Sequence, residues 1–187
     1  MPGAEAPAGT LPAFAVDKML GRLARWLRIL GHDVAYGPHL SGRTLVDRAR
    51  RERRLLLTRD TRLLRDLDLP PHIFVASDHF REQLRQVADA VPLGGAFLHR
   101  CLDCNRALEP ATREAVAAHV PPYVLATQEH FQRCPHCGRI YWPATHRSHM
   151  IDELTALGLP AAGGEAAATE RREQRAHGQR EGQEGEA

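Results

Sequence analysis

Asp17, Asp60 and Asp78 each follow a short apolar run: "FAV" at 14–16, "LLLT" at 55–58 and "IFVA" at 73–76. Runs of that length read as buried strands. An acid just past a strand's carboxyl end lies where open α/β sheets bind ligands. Carboxylates gathered there repel one another unless a cation sits among them, and hard oxygen donors suit Mg²⁺ or Mn²⁺. An ion so held turns water into a nucleophile and stabilises in-line displacement at phosphorus. Asp17, Asp60 and Asp78 are therefore candidate metal ligands for phosphodiester hydrolysis. Taken singly, Asp78 or Ser77 also fits an N-cap, and Asp60 fits a turn within "TRDT". Asp47 admits two roles, a fourth acid over the metal site or half of an i, i+4 ion pair with Arg51.

The cysteines suggest a second chemistry. "CLDC" at 101–104 and "CPHC" at 134–137 are separated by 29 residues. Cys101, Cys104, Cys134 and Cys137 would offer four thiolates to one Zn²⁺, and a filled tetrahedral shell leaves no position for a catalytic water, so the zinc would be structural. An iron–sulfur cluster or a redox dithiol is the other chemistry two such pairs allow. The spacer exceeds the roughly 15–20 residues of a simple ribbon, which calls for a helix between the knuckles. His136 lies inside the second knuckle and reads as a bystander. His146 and His149, in "THRSH", are either a second metal pair or surface histidines able to touch phosphate.

Charge is unevenly spread. The chain carries a net +2, yet residues 18–65 hold 13 Lys or Arg against four acids, a net of +9 that leaves the remainder at −7. Such a basic segment fits a polyanionic partner or a solvated arginine-rich surface. Lys18, Arg22 and Arg25 recur at i, i+4 and i+7 with Arg28 beside them, and Arg43, Arg48, Arg50, Arg51, Arg53 and Arg54 crowd the next basic stretch. Bordering the acids, Lys18, Arg22, Arg25, Arg28, Arg50 and Arg54 would hold a nucleic-acid backbone, positioning it without reading bases. Trp26 falls beside the apolar stripe and reads as core.

Positioning these residues requires alternating elements. The pattern predicts a strand at 14–16, an amphipathic helix ending at Gly31, a strand in "HDVAYG", a helix over 43–53, a strand at 55–58 and a short helix over 61–67. A strand at 73–76 and a helix to about Val91 complete a parallel sheet covered on both faces. Beyond Leu98, a helix over 112–119, an extended "PPYVLA" and a helix over about 145–157 accompany the cysteines. The expected layout is a disordered 1–13, an α/β domain over 14–95, a zinc-stapled module over 97–157 and a disordered charged tail over 158–187, with a transient helix over 165–175. With 187 residues and 43% apolar content the chain can build a core. No run approaches the roughly 20 apolar residues that span a bilayer, and the N-terminus lacks a basic leader, so a cytoplasmic location is expected.

The stretches "FAVDKMLGRLARWLRILGHDVAY", "RRLLLTRDTRLL", "SDHFREQL", "CLDCNRALEP" and "CPHCGRIYWPATHRSHM" resemble the Mut-seven C-terminal ribonuclease family over roughly residues 14–155. The resemblance implies a PIN-like three-layer α/β/α fold with a parallel sheet, followed by a small Cys₄ zinc ribbon. It implies a metal-dependent ribonuclease, with Asp17, Asp60 and Asp78 as the acids at the sheet edge and Arg59 as the arginine of the "TRD" motif. It also implies that Cys101, Cys104, Cys134 and Cys137 are the ribbon ligands. Where relatives usually place an acid before the second helix, this chain has Ser41 and Gly42; either Asp47 substitutes or the set has three acids. That departure motivates a rival reading, an RNA-binding or ribosome-associated module that keeps the fold without turnover. A toxin of this fold is the third reading, disfavoured by the attached ribbon.

Overall fold

Side-chain alternation along the strands sets the layers. The computed structural model describes residues 11–65, 68–94, 97–143 and 145–159, without the side chains of Thr145 and His146. The segments 1–10 and 160–187, and with them most of the expected disordered ends and the transient helix, lie outside the described residues. Strands β1 (Phe14–Val16), β2 (Val34–Ala35), β3 (Leu55–Thr58) and β4 (His72–Phe74) form a wholly parallel sheet in the order β2-β1-β3-β4. Phe14, Val16 and Leu57 project into one core, while Ala15 and Leu56 project into the other.

Each face receives a helix with a matching stripe. Helix α1 (Gly21–Ile29) brings Leu23 and Leu27, and α3 (Phe80–Ala90) brings Leu84 and Val87, to the first core. Helix α2 (Arg43–Arg51) covers the second face with Leu45, Val46 and Ala49. The result is the three-layer α/β/α arrangement expected from the alternating pattern. Full burial of Leu20, Leu23, Leu27, Leu45, Leu56, Leu57 and Leu84 contributes roughly 1.5–3 kcal/mol each before ordering entropy is subtracted.

Strand order also locates a binding edge. From β1 the chain passes through α1 to β2 on one side, then through α2 to β3 on the other. The carboxyl ends of β1 and β3 therefore flank a topological switch point, where no crossover fills the crevice.

The cysteine-bearing part is an antiparallel sheet of β5 (Glu109–Ala111), β6 (Phe131–Arg133) and β7 (Ile140–Tyr141). Helices α4 (Arg113–Val116) and α5 (Pro122–Thr127) lie between β5 and β6, sharing a small core of Val116, Val120, Val124 and Phe131. "PPYVLA" is thus helical and not extended. Pro122 occupies the first helical turn, where a missing N–H costs nothing. Helix α6 (Thr145–Ala156) returns to the α/β body, burying Leu154 in the first core and pairing Glu153 with Arg81.

Two further local details differ from expectation. The residue capping α3 is His79, not Ser77 or Asp78; the Ser77 hydroxyl accepts from the His79 N–H at 3.0 Å. Residues 18–20 form a 3₁₀ turn before α1. Gly21 opens α1 because a Cβ there would come within 2.5 Å of the Tyr36 hydroxyl oxygen. Among the described residues, no helix is long and apolar enough to cross a membrane.

Candidate active site and metal centre

At the switch point, β1 runs straight into Asp17 and β3 into Thr58. Asp17 is 4% exposed. One of its carboxylate oxygens accepts from the Met19 N–H at 3.2 Å, capping the 3₁₀ turn. The other accepts the Thr58 hydroxyl at 2.8 Å. That hydroxyl oxygen in turn accepts the Asp60 N–H at 3.0 Å. One threonine therefore ties the two strand-end aspartates into a single unit. Thr58 is fully buried at the last position of β3.

Asp60 does not wait unpaired. Its carboxylate takes three hydrogen bonds from Arg62, from the backbone N–H at 2.9 Å, Nε at 3.0 Å and an Nη at 3.1 Å. The Arg62 guanidinium and N–H hold the Asp60 carboxyl below its usual range, assisted by Lys18. Asp78, beyond β4, is ion-paired to Arg59. Arg59 also donates to the Ala76 carbonyl at 3.2 Å, and its hydrogen bond and charge together depress the Asp78 carboxyl.

The three acids thus share one edge without closing on one point. Asp17 and Asp60 are joined through Thr58, while Asp78 is turned to Arg59. Among the described residues, the four cysteines form the one group of three or more His, Cys, Asp or Glu side chains gathered tightly enough for a metal ion. Asp47, on α2, pairs with Arg50 at 3.8 Å and not with Arg51. Gly42, at the position where relatives usually place an acid, caps α2 with φ of +55°, a conformation suited to glycine.

The expected nucleic-acid contacts divide into two sets. Lys18, Arg22, Arg25 and Arg50 are exposed. Arg22 lies over the Phe80 ring, 3.9 Å from its centroid, and Trp26 stacks on the same ring at 5.4 Å. Arg28 and Arg54 require correction, because both guanidinium groups are spent inside the fold. Arg54 opens β3 at the amino edge of the sheet, opposite the acids, and binds Asp33 at 2.8 Å and Glu52 at 2.6 Å. Arg28 is 4% exposed and donates to the carbonyls of Leu102 and Asp103 at 2.8 Å each and of Val34 at 3.0 Å. Burial lowers the Arg28 pKa from its ordinary value, opposed by Cys101, Cys104 and Asp103.

That arginine leads to the cysteine cluster. The two knuckles are built alike: Asn105 N–H donates to the Cys101 carbonyl and Gly138 N–H to the Cys134 carbonyl, both at 2.9 Å. Each of those residues has positive φ, +66° and +73°, the left-handed geometry that asparagine and glycine tolerate best. Asn105 adds what glycine cannot: its side chain accepts the Val34 N–H at 2.9 Å and donates to Asp33 at 2.7 Å. With Arg28 on the Val34 carbonyl, the first knuckle covers the open edge of β2.

The sulfurs lie 3.3 Å (Cys104–Cys134), 3.6 Å (Cys101–Cys137) and 3.8 Å (Cys104–Cys137) apart. Four thiolates on one zinc stand about 3.8 Å apart for Zn–S bonds of about 2.3 Å, so the cluster fits a tetrahedral cation. Burial and the neighbouring sulfurs push the Cys104 thiol up. Against its own burial, Cys101 is pulled down by backbone N–H groups and the Tyr141 hydroxyl. That hydroxyl accepts from the Leu102 N–H at 3.0 Å and donates to Cys101 Sγ at 3.2 Å. His136 is exposed. His149 lines a shallow groove with Arg22, Trp26 and Glu153, and the His146 side chain lies outside the described residues.

Sequence reasoning missed Thr58, Arg62, Tyr141 and Asn105. The signals were a hydroxyl at the final strand position, an arginine two residues after the strand-end acid, and an asparagine directly after a CxxC pair. A family model described as Mut7-C RNAse domain matches residues 12–154. Neither a curated protein nor a solved structure matches the chain.

Proposed function

The chain belongs to the Mut7-C RNAse domain family, and from that premise we propose that it hydrolyses RNA phosphodiester bonds with a divalent cation held at the β1/β3 switch point. The observation that carries this reading is the Asp17–Thr58–Asp60 unit, in which one buried hydroxyl donates to the Asp17 carboxylate and accepts the Asp60 main-chain N–H, so that both aspartates stand at one crevice. Their donor set, hard carboxylate oxygens, suits Mg²⁺ or Mn²⁺. Such an ion would polarise the phosphoryl oxygen and activate water. The protein's own part is positional. Thr58 and the Met19 N–H fix the orientation of Asp17. Lys18, beside Asp60, and the exposed Arg22 and Arg25 offset the strand's negative charge as it nears the acids. Asp78 and Arg59 form the far wall, with Arg59 free to exchange its carboxylate for a phosphate. The four cysteines hold a structural zinc.

The second reading, RNA binding without turnover, draws on the Arg62–Asp60 and Arg59–Asp78 pairs, which occupy two of the three acids. Cleavage of single-stranded and structured RNA by purified protein, with and without added Mn²⁺, separates the two. Mn²⁺-stimulated cleavage that disappears in Asp60→Asn, with RNA affinity retained, supports hydrolysis. Cleavage by Asp60→Asn at the parent's rate overturns it. RNA binding with no metal-stimulated cleavage favours the second reading.

A further inference from the structure

Beside the acids, α2 and the turn after β3 enclose a cleft of about 240 Å³. One wall is a single face of α2, with Arg43, Asp47 and Arg50 at i, i+4 and i+7; the other carries Arg62 and Asp68. Its floor is apolar, Val46 and Leu63 belonging to the core beneath α2. Arg50 is shared between Asp47 and Asp68, and Arg43 has no ion-pair partner among the described residues. Arg62 spans the boundary: it lines the cleft and grips Asp60 at 3.0 Å while 84% of its side chain is exposed.

We propose that this cleft is a phosphate subsite for the RNA strand, holding a backbone phosphate next to the one that is cut. The assignment rests on RNA being the substrate. Guanidinium groups bind phosphate oxygens bidentately, and three of them converge here against two carboxylates. Exposed arginine–carboxylate pairs are weakly held, so an arriving phosphate can take Arg50 from Asp68 and Arg62 from Asp60. The second exchange links the subsite to the chemistry: a strand seated in the cleft draws Arg62 away and frees Asp60. Asp47 then serves as a counter-charge that keeps Arg50 in the cleft.

The test is fluorescence anisotropy of a short labelled single-stranded RNA over a range of salt concentrations, without added Mg²⁺ or Mn²⁺ so that no cleavage intervenes. Arg43→Gln and Arg50→Gln are compared with the parent and with Arg85→Gln, a change at an exposed arginine on α3; urea midpoints exclude folding defects. Each cleft variant is expected to weaken binding several-fold for every sequence and to lower the salt slope by about 0.7, with Arg85→Gln unchanged. A parent that binds while both cleft variants match it in affinity and slope overturns the subsite and leaves the hydrolysis reading intact. Absence of RNA binding by the parent removes both. Displacement of the RNA by poly-glutamate at equal charge concentration marks a general anion surface and also overturns the subsite.

Discussion

Replacing Arg28 with methionine tests how the cysteine cluster and the α/β body are joined. Methionine keeps much of the volume and removes the guanidinium. Three carbonyls, of Leu102, Asp103 and Val34, then lose their donor. Net hydrogen bonds to charged groups are worth about 1.5–3 kcal/mol each. Against that stands the cost of burying the cation, whose Nε has no partner, so a net loss of about 3 kcal/mol is the reasonable figure. For a chain of this size that corresponds to roughly 6–12 °C in Tm. Two of the three acceptors belong to the first knuckle, so the cost depends on that knuckle being in place. In zinc-loaded protein, thermal unfolding followed by far-ultraviolet circular dichroism should show the full loss. After chelation the parent should fall toward the variant, and the difference between them should shrink to about 1 kcal/mol, the share of the Val34 carbonyl. Equal differences with and without chelator would refute the idea that Arg28 holds the metal module.

Three further outcomes are expected. Buried His32 accepts the Gly94 N–H at Nε2 and donates from Nδ1 to the Pro12 carbonyl, which fixes the neutral form; burial, opposed by the Pro12 bond and assisted by Arg100, lowers its pKa. Its stabilisation is therefore complete above the ordinary value near 6.5 and is lost as pH falls from there toward the folded pKa, at up to about 1.4 kcal/mol per unit. Urea unfolding between pH 8 and 5 should show a shallower acid-side loss in His32→Phe than in the parent, and parallel slopes would refute it. For the cysteine cluster, elemental analysis should find one zinc per chain, and Tyr141→Phe, which removes the hydroxyl on Cys101 Sγ, should weaken zinc affinity about 10–100-fold in a chelator competition; unchanged affinity would deny Tyr141 that role.

What the sequence disclosed depended on whether a residue's neighbours lie along the chain or across it. The stripe of Leu20, Leu23, Leu27 and Leu30, the run "LLLT" and the two CxxC pairs are local patterns, and the layers and the cysteine cluster follow from them. Arg28 is the counterexample. It flanks an exposed basic row on α1, yet the knuckle more than 70 residues later closes over it. Arg54 misled for a different reason: the run at 55–58 itself sets it at the end opposite Asp60, and a charge count over the whole segment ignores that order. The Asp17–Thr58 hydrogen bond joins adjacent strands 41 residues apart, a pairing that needs the strand order. "PPYVLA" read as extended because two prolines suggest it, but a proline in the first turn of a helix is harmless. The Arg62 and Arg59 pairs were passed over for another reason: charge counts give net sign and say nothing of which acid each arginine holds.

The central claim is that Asp17 and Asp60 together hold a divalent cation. Crystals grown with Mn²⁺ and a short phosphorothioate RNA, examined for anomalous density, test it most directly. The expected result is a peak bonded to carboxylate oxygens of both Asp17 and Asp60, with Arg62 turned toward a phosphate. RNA seated at the sheet edge with no manganese on either aspartate would contradict it.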